Sequence, residues 1–157
     1  MSKVAAMPPA NELYETDFYA WTQQQAQLLR ERRWDDLDLG NLVDEVESVG
    51  RSDKRQIESR LEILLAHLLK WRFQPGRRGA GWTSTIFEQR RRLIGLLEES
   101  PSLRAFAQKE VFNSYPAARL LAAKETGIAL SAFPESCPFT PEQLFDLEYY
   151  PEDRQSE

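Results

Sequence analysis

The stretch from Asp53 to Arg72, DKRQIESRLEILLAHLLKWR, decides the class of fold. Ile57, Leu61, Leu64, Leu65, Leu68 and Leu69 recur at i, i+3, i+4 and i+7, the period of an α-helix that hides one broad face. Asp53 with Gln56 three residues on has the form of a capping pair, so the spacing predicts a helix over 53–72 at the centre of the core. The same period continues on both sides, and no segment alternates with period two. Upstream, Leu39, Leu42, Val43, Val46 and Val49 form the clearest stripe of the chain, with Asp44, Glu45, Glu47 and Ser48 pointing elsewhere and Gly50 suited to end that helix. Before it, Thr16 as N-cap and Asp17 in the first turn predict a helix that places Phe18, Trp21, Gln25, Leu28 and Leu29 on one side and ends near Arg33.

Downstream, Pro75, Gly76, Gly79 and Gly81 make residues 74–81 a loop. Thr85 with Glu88 reads as a capping box ahead of Ile86, Leu93, Ile94 and Leu97. Ser100 and Pro101 open a short helix carrying Leu103, Phe106 and Val111, and another is expected from Pro116, stopping at Gly127 or running on towards Phe133. Thr140, Pro141 and Gln143 open a last short helix with Leu144, Phe145 and Leu147. The expected architecture is all-α: a single helical bundle of about four main helices plus two or three short C-terminal helices. Residues 12–150 are expected to form one helical domain, with 1–11 a flexible N-terminal segment and 151–157 a polar tail.

Charge is segregated along the chain. Residues 51–92 hold eleven Lys or Arg against four acids, a local +7, whereas residues 1–50 and 93–157 each sum to −6. The cationic centre has two possible clients, its own acidic flanks or an external anion. A composition 41% hydrophobic and 29% charged is that of an ordinary globular domain. The single cysteine, Cys137, excludes an internal disulfide and any multi-cysteine zinc or iron–sulfur site, and fits a reducing compartment. No signal-peptide pattern and no run of about 18 apolar residues is present, so a cytoplasmic, non-membrane protein is expected.

His67 is the only histidine. It stands on the shoulder of the apolar face, where a packed, hydrogen-bonded structural role is the ordinary reading; the sharper alternative joins His67 to Glu45 or its neighbours Asp44 and Glu47 as a metal site. Antiparallel pairing of the two helices does not favour that site, because residue 67 lies near the far end of its helix. Cys137, between Ser136 and Pro138, sits in no nucleophilic motif. No Walker loop, G-x-G-x-x-G or H-E-x-x-H is present, and no cofactor is expected. The strongest candidate binding patch is basic and aromatic: Lys70, Trp71, Arg72, Arg77, Arg78, Trp82 and Arg91, with Phe73, Arg90 and Arg92 alongside. Cations beside rings suit phosphates and stacked bases. The opposing reading has Trp71, Phe73 and Trp82 wedging the loop onto the core while the arginines pair with Asp35, Asp36, Asp44, Glu45 or Glu47. A sequence pI of about 5.1 tells against a dedicated polyanion binder.

Asp17-Phe18-Tyr19-Ala20-Trp21, the run from Gly50-Arg51-Ser52-Asp53 to His67-Leu68-Leu69-Lys70-Trp71, and Thr85-Ile86-Phe87-Glu88-Gln89-Arg90 resemble a bacterial family known only as domain of unknown function twenty-nine. Phe133-Pro134, Cys137-Pro138 and Glu142-Gln143-Leu144 follow the same pattern, and the resemblance spans about residues 12–151. It implies a compact helical domain and assigns no catalytic residue. The expected function is a non-catalytic interaction or regulatory module that binds a protein partner or self-associates; the alternatives are nucleic-acid binding through 70–92 and a metal-dependent enzyme using His67 with the carboxylates of the preceding helix.

Overall fold

The computed structural model describes residues 8–152, and within them every regular element is helical. Six α-helices follow one another: α1 (Ala10–Thr16), α2 (Phe18–Arg30), α3 (Leu39–Phe73), α4 (Ala80–Glu99), α5 (Arg104–Thr126) and α6 (Pro141–Phe145). Short 3-10 turns stand between several of them. The fold is an all-α helical bundle. The chain divides into two compact units, one ending at Arg51 and the other beginning at Ser52.

In the first unit, α1 packs on α2. Asp17 ends α1 and caps α2, its carboxylate accepting from the Ala20 N–H at 3.0 Å. The expected helix is therefore present with its cap shifted by one residue, and the expected flexible segment 1–11 gives way to helix at Ala10. Residues 1–7 lie outside the described range. Tyr14, Phe18 and Trp21 form a ring cluster with centroids 4.9 to 5.8 Å apart. Trp21 and Gln25 are buried, and both reach Asp38: the indole N–H donates to its carboxylate at 3.0 Å, and the Gln25 carbonyl accepts from its backbone N–H at 2.8 Å. Arg32, at φ 57°, turns the chain out of α2, with Arg33 N–H on Leu28 O and Arg32 N–H on Leu29 O, the paired closure of a Schellman motif.

The second unit holds the main core. Ile57, Leu61, Leu64, Leu65, Leu68 and Leu69 of α3 are all fully buried, as their spacing requires, against Ile86 and Leu93 of α4, Val111, Tyr115 and Ala118 of α5, and Phe133, Phe139 and Leu144 from the last segment. The α6 capping box forms as read, with Gln143 N–H donating to Thr140 Oγ1 and Thr140 N–H donating to Gln143 Oε1. Gly127 ends α5 at φ 72°.

Three boundaries differ from expectation. The turn at Gly50 is absent, because α3 runs unbroken from Leu39 to Phe73. Gly50 takes no left-handed φ, and one glycine costs a helix only about 1 kcal/mol, less than the helical turns on either side contribute. Thr85 is not a cap but lies inside α4, its hydroxyl donating back to Gly81 O at 3.0 Å. Pro116 opens no new helix; it sits within α5, on the exposed side. Buried Val111, Tyr115, Ala118 and Ala122 flank it and outweigh the loss of about 3 kcal/mol that an internal proline brings. Replacing Leu65 by Ala is expected to lower stability by about 2–5 kcal/mol, read as a fall in the urea midpoint; a loss under about 1 kcal/mol would contradict its central place in the core.

Candidate functional site

The basic and aromatic segment lies in the second unit, and most of it is occupied by contacts within that unit. Lys70 is buried; its ammonium donates to Glu125 Oε2 at 2.6 Å and stands 5.4 Å from the centre of the Trp82 ring. The Trp71 ring tilts against Tyr150 at 4.7 Å while the Arg78 guanidinium covers it at 5.0 Å, and Arg78 Nε donates to Trp71 O at 2.8 Å. Arg72 lies 5.8 Å from the Phe73 ring, which in turn meets Phe133 at 4.8 Å. Trp71 and Phe73 thus hold the helix end to the core, the wedge arrangement weighed above. The cations do not use the acids expected of them. Lys70 takes Glu125, and Arg91 and Arg92 share Glu88 on their own exposed helix face at 3.0 and 2.8 Å. The Arg92 and Arg91 hydrogen bonds hold the Glu88 carboxyl below its ordinary range. Arg77 is exposed on the turn that follows α3.

Arg90, read from the sequence only as a neighbour of the basic patch, is fully buried, alone among the cations of the described residues at 0% exposure. It has no carboxylate partner among its hydrogen bonds. Nε donates to Leu144 O at 2.8 Å, Nη1 to Tyr149 O at 2.7 Å and Nη2 to Gln143 O at 3.1 Å, and the guanidinium lies 5.7 Å from the Tyr150 ring. Burial pushes its pKa down. One planar fork therefore ties α4 to the carbonyls at the end of α6 and beyond it. Pro151, the first residue of the expected polar tail, is buried and Glu152 is exposed; residues 153–157 lie outside the described range. The spacing did carry a signal, because Ile86, Arg90, Leu93 and Leu97 fall on one helical stripe.

His67 is half-buried, with Nδ1 2.8 Å from Ile63 O on the preceding turn. Burial, with a smaller push from the Lys70 charge, lowers its pKa. Glu45 accepts a hydrogen bond from Tyr14 Oη at 2.6 Å, which raises the phenol to about 12. The two were expected on separate, antiparallel helices. They stand on one continuous helix, 22 residues apart, where only side chains three or four apart can share an ion. Among the described residues no group of three or more His, Cys, Asp or Glu side chains gathers to hold a metal. Burial likewise raises the Cys137 thiol, whose sulfur lies 3.4 Å from Phe139 O. A shallow cleft of about 330 Å³ between α3 and α4 is lined by Arg55, Arg60, Ser52, Ser59 and Gln89.

The largest departure concerns the stripe of the first half of α3. Leu39, Val43, Val46 and Val49, expected in the core, are exposed, Val46 at 70%, whereas Ile57 on the continuation of the same face is at 0%. Spacings of 4, 3, 4 and 3 carry the line from Leu39 through Val43, Val46 and Gly50 to Asp53, and a further 4 to Ile57. A single apolar stripe is thus covered along one part of a helix and bare along the other.

The described residues form an all-helical domain with a buried guanidinium clamp and a bare aliphatic stripe. The family model described as Domain of unknown function DUF29 matches residues 13–150, and the chain belongs to that family. No curated protein and no solved structure matches it. No helix among the described residues is long and apolar enough to cross a membrane.

Two measurements separate the arginines. Arg90→Met is expected to lower stability by about 3–5 kcal/mol, because three carbonyls, that of Leu144 buried and those of Gln143 and Tyr149 partly so, lose a charged donor, and to open residues 143–150 to protease. Arg91→Glu, at an exposed pair, is expected to change stability by less than about 1 kcal/mol, read from the urea midpoint. For His67, a lowered folded-state pKa means the unfolded chain binds its proton first as pH falls. Stability is expected to be at its plateau above the ordinary histidine pKa and to decline below it towards the folded value. A His67→Gln variant is expected to lose that part of the slope when urea midpoints are compared across the same interval.

Proposed function

We propose that this protein is a non-catalytic interaction module which binds a protein partner or a second copy of itself through the bare stripe of α3. The observation that carries the reading is the contrast between Val46 and Ile57, one exposed and one fully buried on a single helix face. Each aliphatic side chain of that size taken out of water contributes about 1.5–3 kcal/mol, so Leu39, Val43 and Val46 in line, with Val49 beside them, form a surface that gains by being covered. Trp34, largely exposed in the same unit, adds apolar area five residues before the stripe begins. The single free thiol fits a cytoplasmic setting.

The basic and aromatic segment supports binding less. Lys70, Trp71, Arg72, Arg78 and Trp82 each have a partner within their unit, and the exposed Arg91 and Arg92 are shared with Glu88. With a formal net charge of −5 the chain as a whole repels polyanions, so nucleic acid is the weaker reading. A gel shift absent at low salt would remove it.

Paired substitutions test the stripe. Val46→Ala is expected to change stability, read from the urea midpoint, by less than about 0.5 kcal/mol. Ile57→Ala, on the same face, is expected to cost about 2–5 kcal/mol. Equal losses at the two positions would show that the monomer already covers Val46, and would overturn the reading.

A further inference from the structure

We infer that the cleft between α3 and α4 is a binding site for a small phosphomonoester, separate from the bare stripe. Ser52, Arg55, Gln56, Ser59 and Arg60 recur at i, i+3, i+4, i+7 and i+8, so they share one face of α3, and Gln89 of α4 stands across from them. All six lie in the second unit. This face repeats the period of the core stripe, but over about 12 Å of helix it carries hydroxyls, amides and guanidinium groups in place of Leu and Ile. Core burial accounts for a line of leucines and gives no account of a line of donors.

Those donors have almost no acceptors within the protein. Among the described residues, the one hydrogen bond that these side chains make is from Arg60 Nη1 to Gln89 Oε1, at 3.2 Å. Arg60 Nε is buried without an acceptor, which leaves Nη2 as the donor for a ligand. A charged donor left unmet is costly, and an anion bound to the same guanidinium offsets that cost. The hydroxyls of Thr16, Thr83, Thr85 and Thr126 each donate to the carbonyl four residues back. Ser52 and Ser59 make no such bond and stay available. No carboxylate lines the cleft. Among the described residues Asp53, Glu58 and Glu62 form no ion pair with Arg55 or Arg60, and Glu88 of α4 is held by Arg91 and Arg92.

Two guanidinium groups without a counter-charge suit a dianion. Donors from successive turns of α3 and from the Gln89 amide suit oxygens that point in several directions, as those of a phosphate do and those of a planar carboxylate do not. A volume of about 330 Å³ exceeds what a bare phosphate fills and sits at the small end of ligand sites. The net charge of −5 does not oppose a small ligand, because salt screens charges beyond about 8–10 Å, whereas a polymer would also meet the acidic flanks.

Calorimetric titration of the full chain at fixed ionic strength tests the site, with glycerol phosphate as the probe and inorganic phosphate, acetate and a short single-stranded oligonucleotide beside it. Saturable binding of glycerol phosphate with a Kd of about 1 mM or tighter is expected, with inorganic phosphate weaker and acetate absent. Arg55→Gln, at an exposed position, is expected to weaken binding about tenfold or more while the urea midpoint stays unchanged. Arg60→Gln is expected to give the same loss, and Arg91→Gln, outside the cleft, to leave binding as it was. In amide NMR spectra the side-chain signals of Gln56 and Gln89 are expected to move with glycerol phosphate in the wild-type chain and to stay in place in Arg55→Gln. No saturable binding up to about 10 mM, or an equal loss in Arg91→Gln, overturns the site. Acetate bound as tightly as glycerol phosphate overturns the choice of phosphate. An oligonucleotide bound more tightly than glycerol phosphate, and lost in Arg55→Gln, overturns the small ligand in favour of nucleic acid.

Discussion

One helix face that is apolar before Gly50 and again from Ile57 onward, along a single 35-residue helix, is the constraint on which the rest of the structure depends. Helical geometry keeps the side chains at Leu39, Val43, Val46, Ile57, Leu61, Leu64 and Leu68 close to one line, whatever surrounds them. Hydrophobic burial is paid only where other apolar groups arrive, and they arrive from Ile57 onward: α4, α5 and the aromatic residues of the last segment close over that part completely. The line before Gly50 has the same chemistry and no such cover. One helix therefore builds the core and presents a surface with the same face.

The second element of order is the Arg90 fork. A buried guanidinium is tolerable only when its donors are satisfied, and here backbone carbonyls of residues 143, 144 and 149 satisfy them. Those carbonyls belong to the end of α6 and the irregular chain after it, where few backbone groups have partners of their own. Arginine thus does for the C-terminal segment what a strand partner or a longer helix would do elsewhere. Tyr115, whose hydroxyl donates to Pro134 O at 2.6 Å, and Arg119, which donates to Phe133 O and Leu130 O, hold the preceding irregular stretch in the same manner. Side-chain donors on α4 and α5 organise a tail that has little regular structure to organise itself.

Fold class and the central core were legible because period 3.6 is a local property of the chain. Ile57 to Leu69 needed only their own spacing, and the Thr140 cap needed only its next three residues. Breaks were less legible. Gly50, Thr85 and Pro116 each carry a local signal for a boundary, worth about 1–3 kcal/mol at most, and that signal is overruled wherever helix on both sides is held by burial or by continuation. Exposure was not legible at all from the stripe itself, since the same Leu and Val pattern serves a core and an interface. Arg90 was hidden by its neighbours: in a run of three arginines the middle of the charge pattern drew attention from the apolar period that Arg90 shares with Ile86 and Leu93.

Segregated charge takes on a different meaning once partners are known. A net +7 over residues 51–92 leaves two clients open, the chain's own acids or an external anion, and much of that charge meets partners at short range, on Glu125, on Glu88 and on carbonyl oxygens. What distinguishes one end of α3 from the other is instead the change of sign across residue 48, from Asp44 and Glu47 to Arg51 and Lys54, beside an apolar line with nothing on it. A polyanion would engage only the basic half and would meet repulsion at the other.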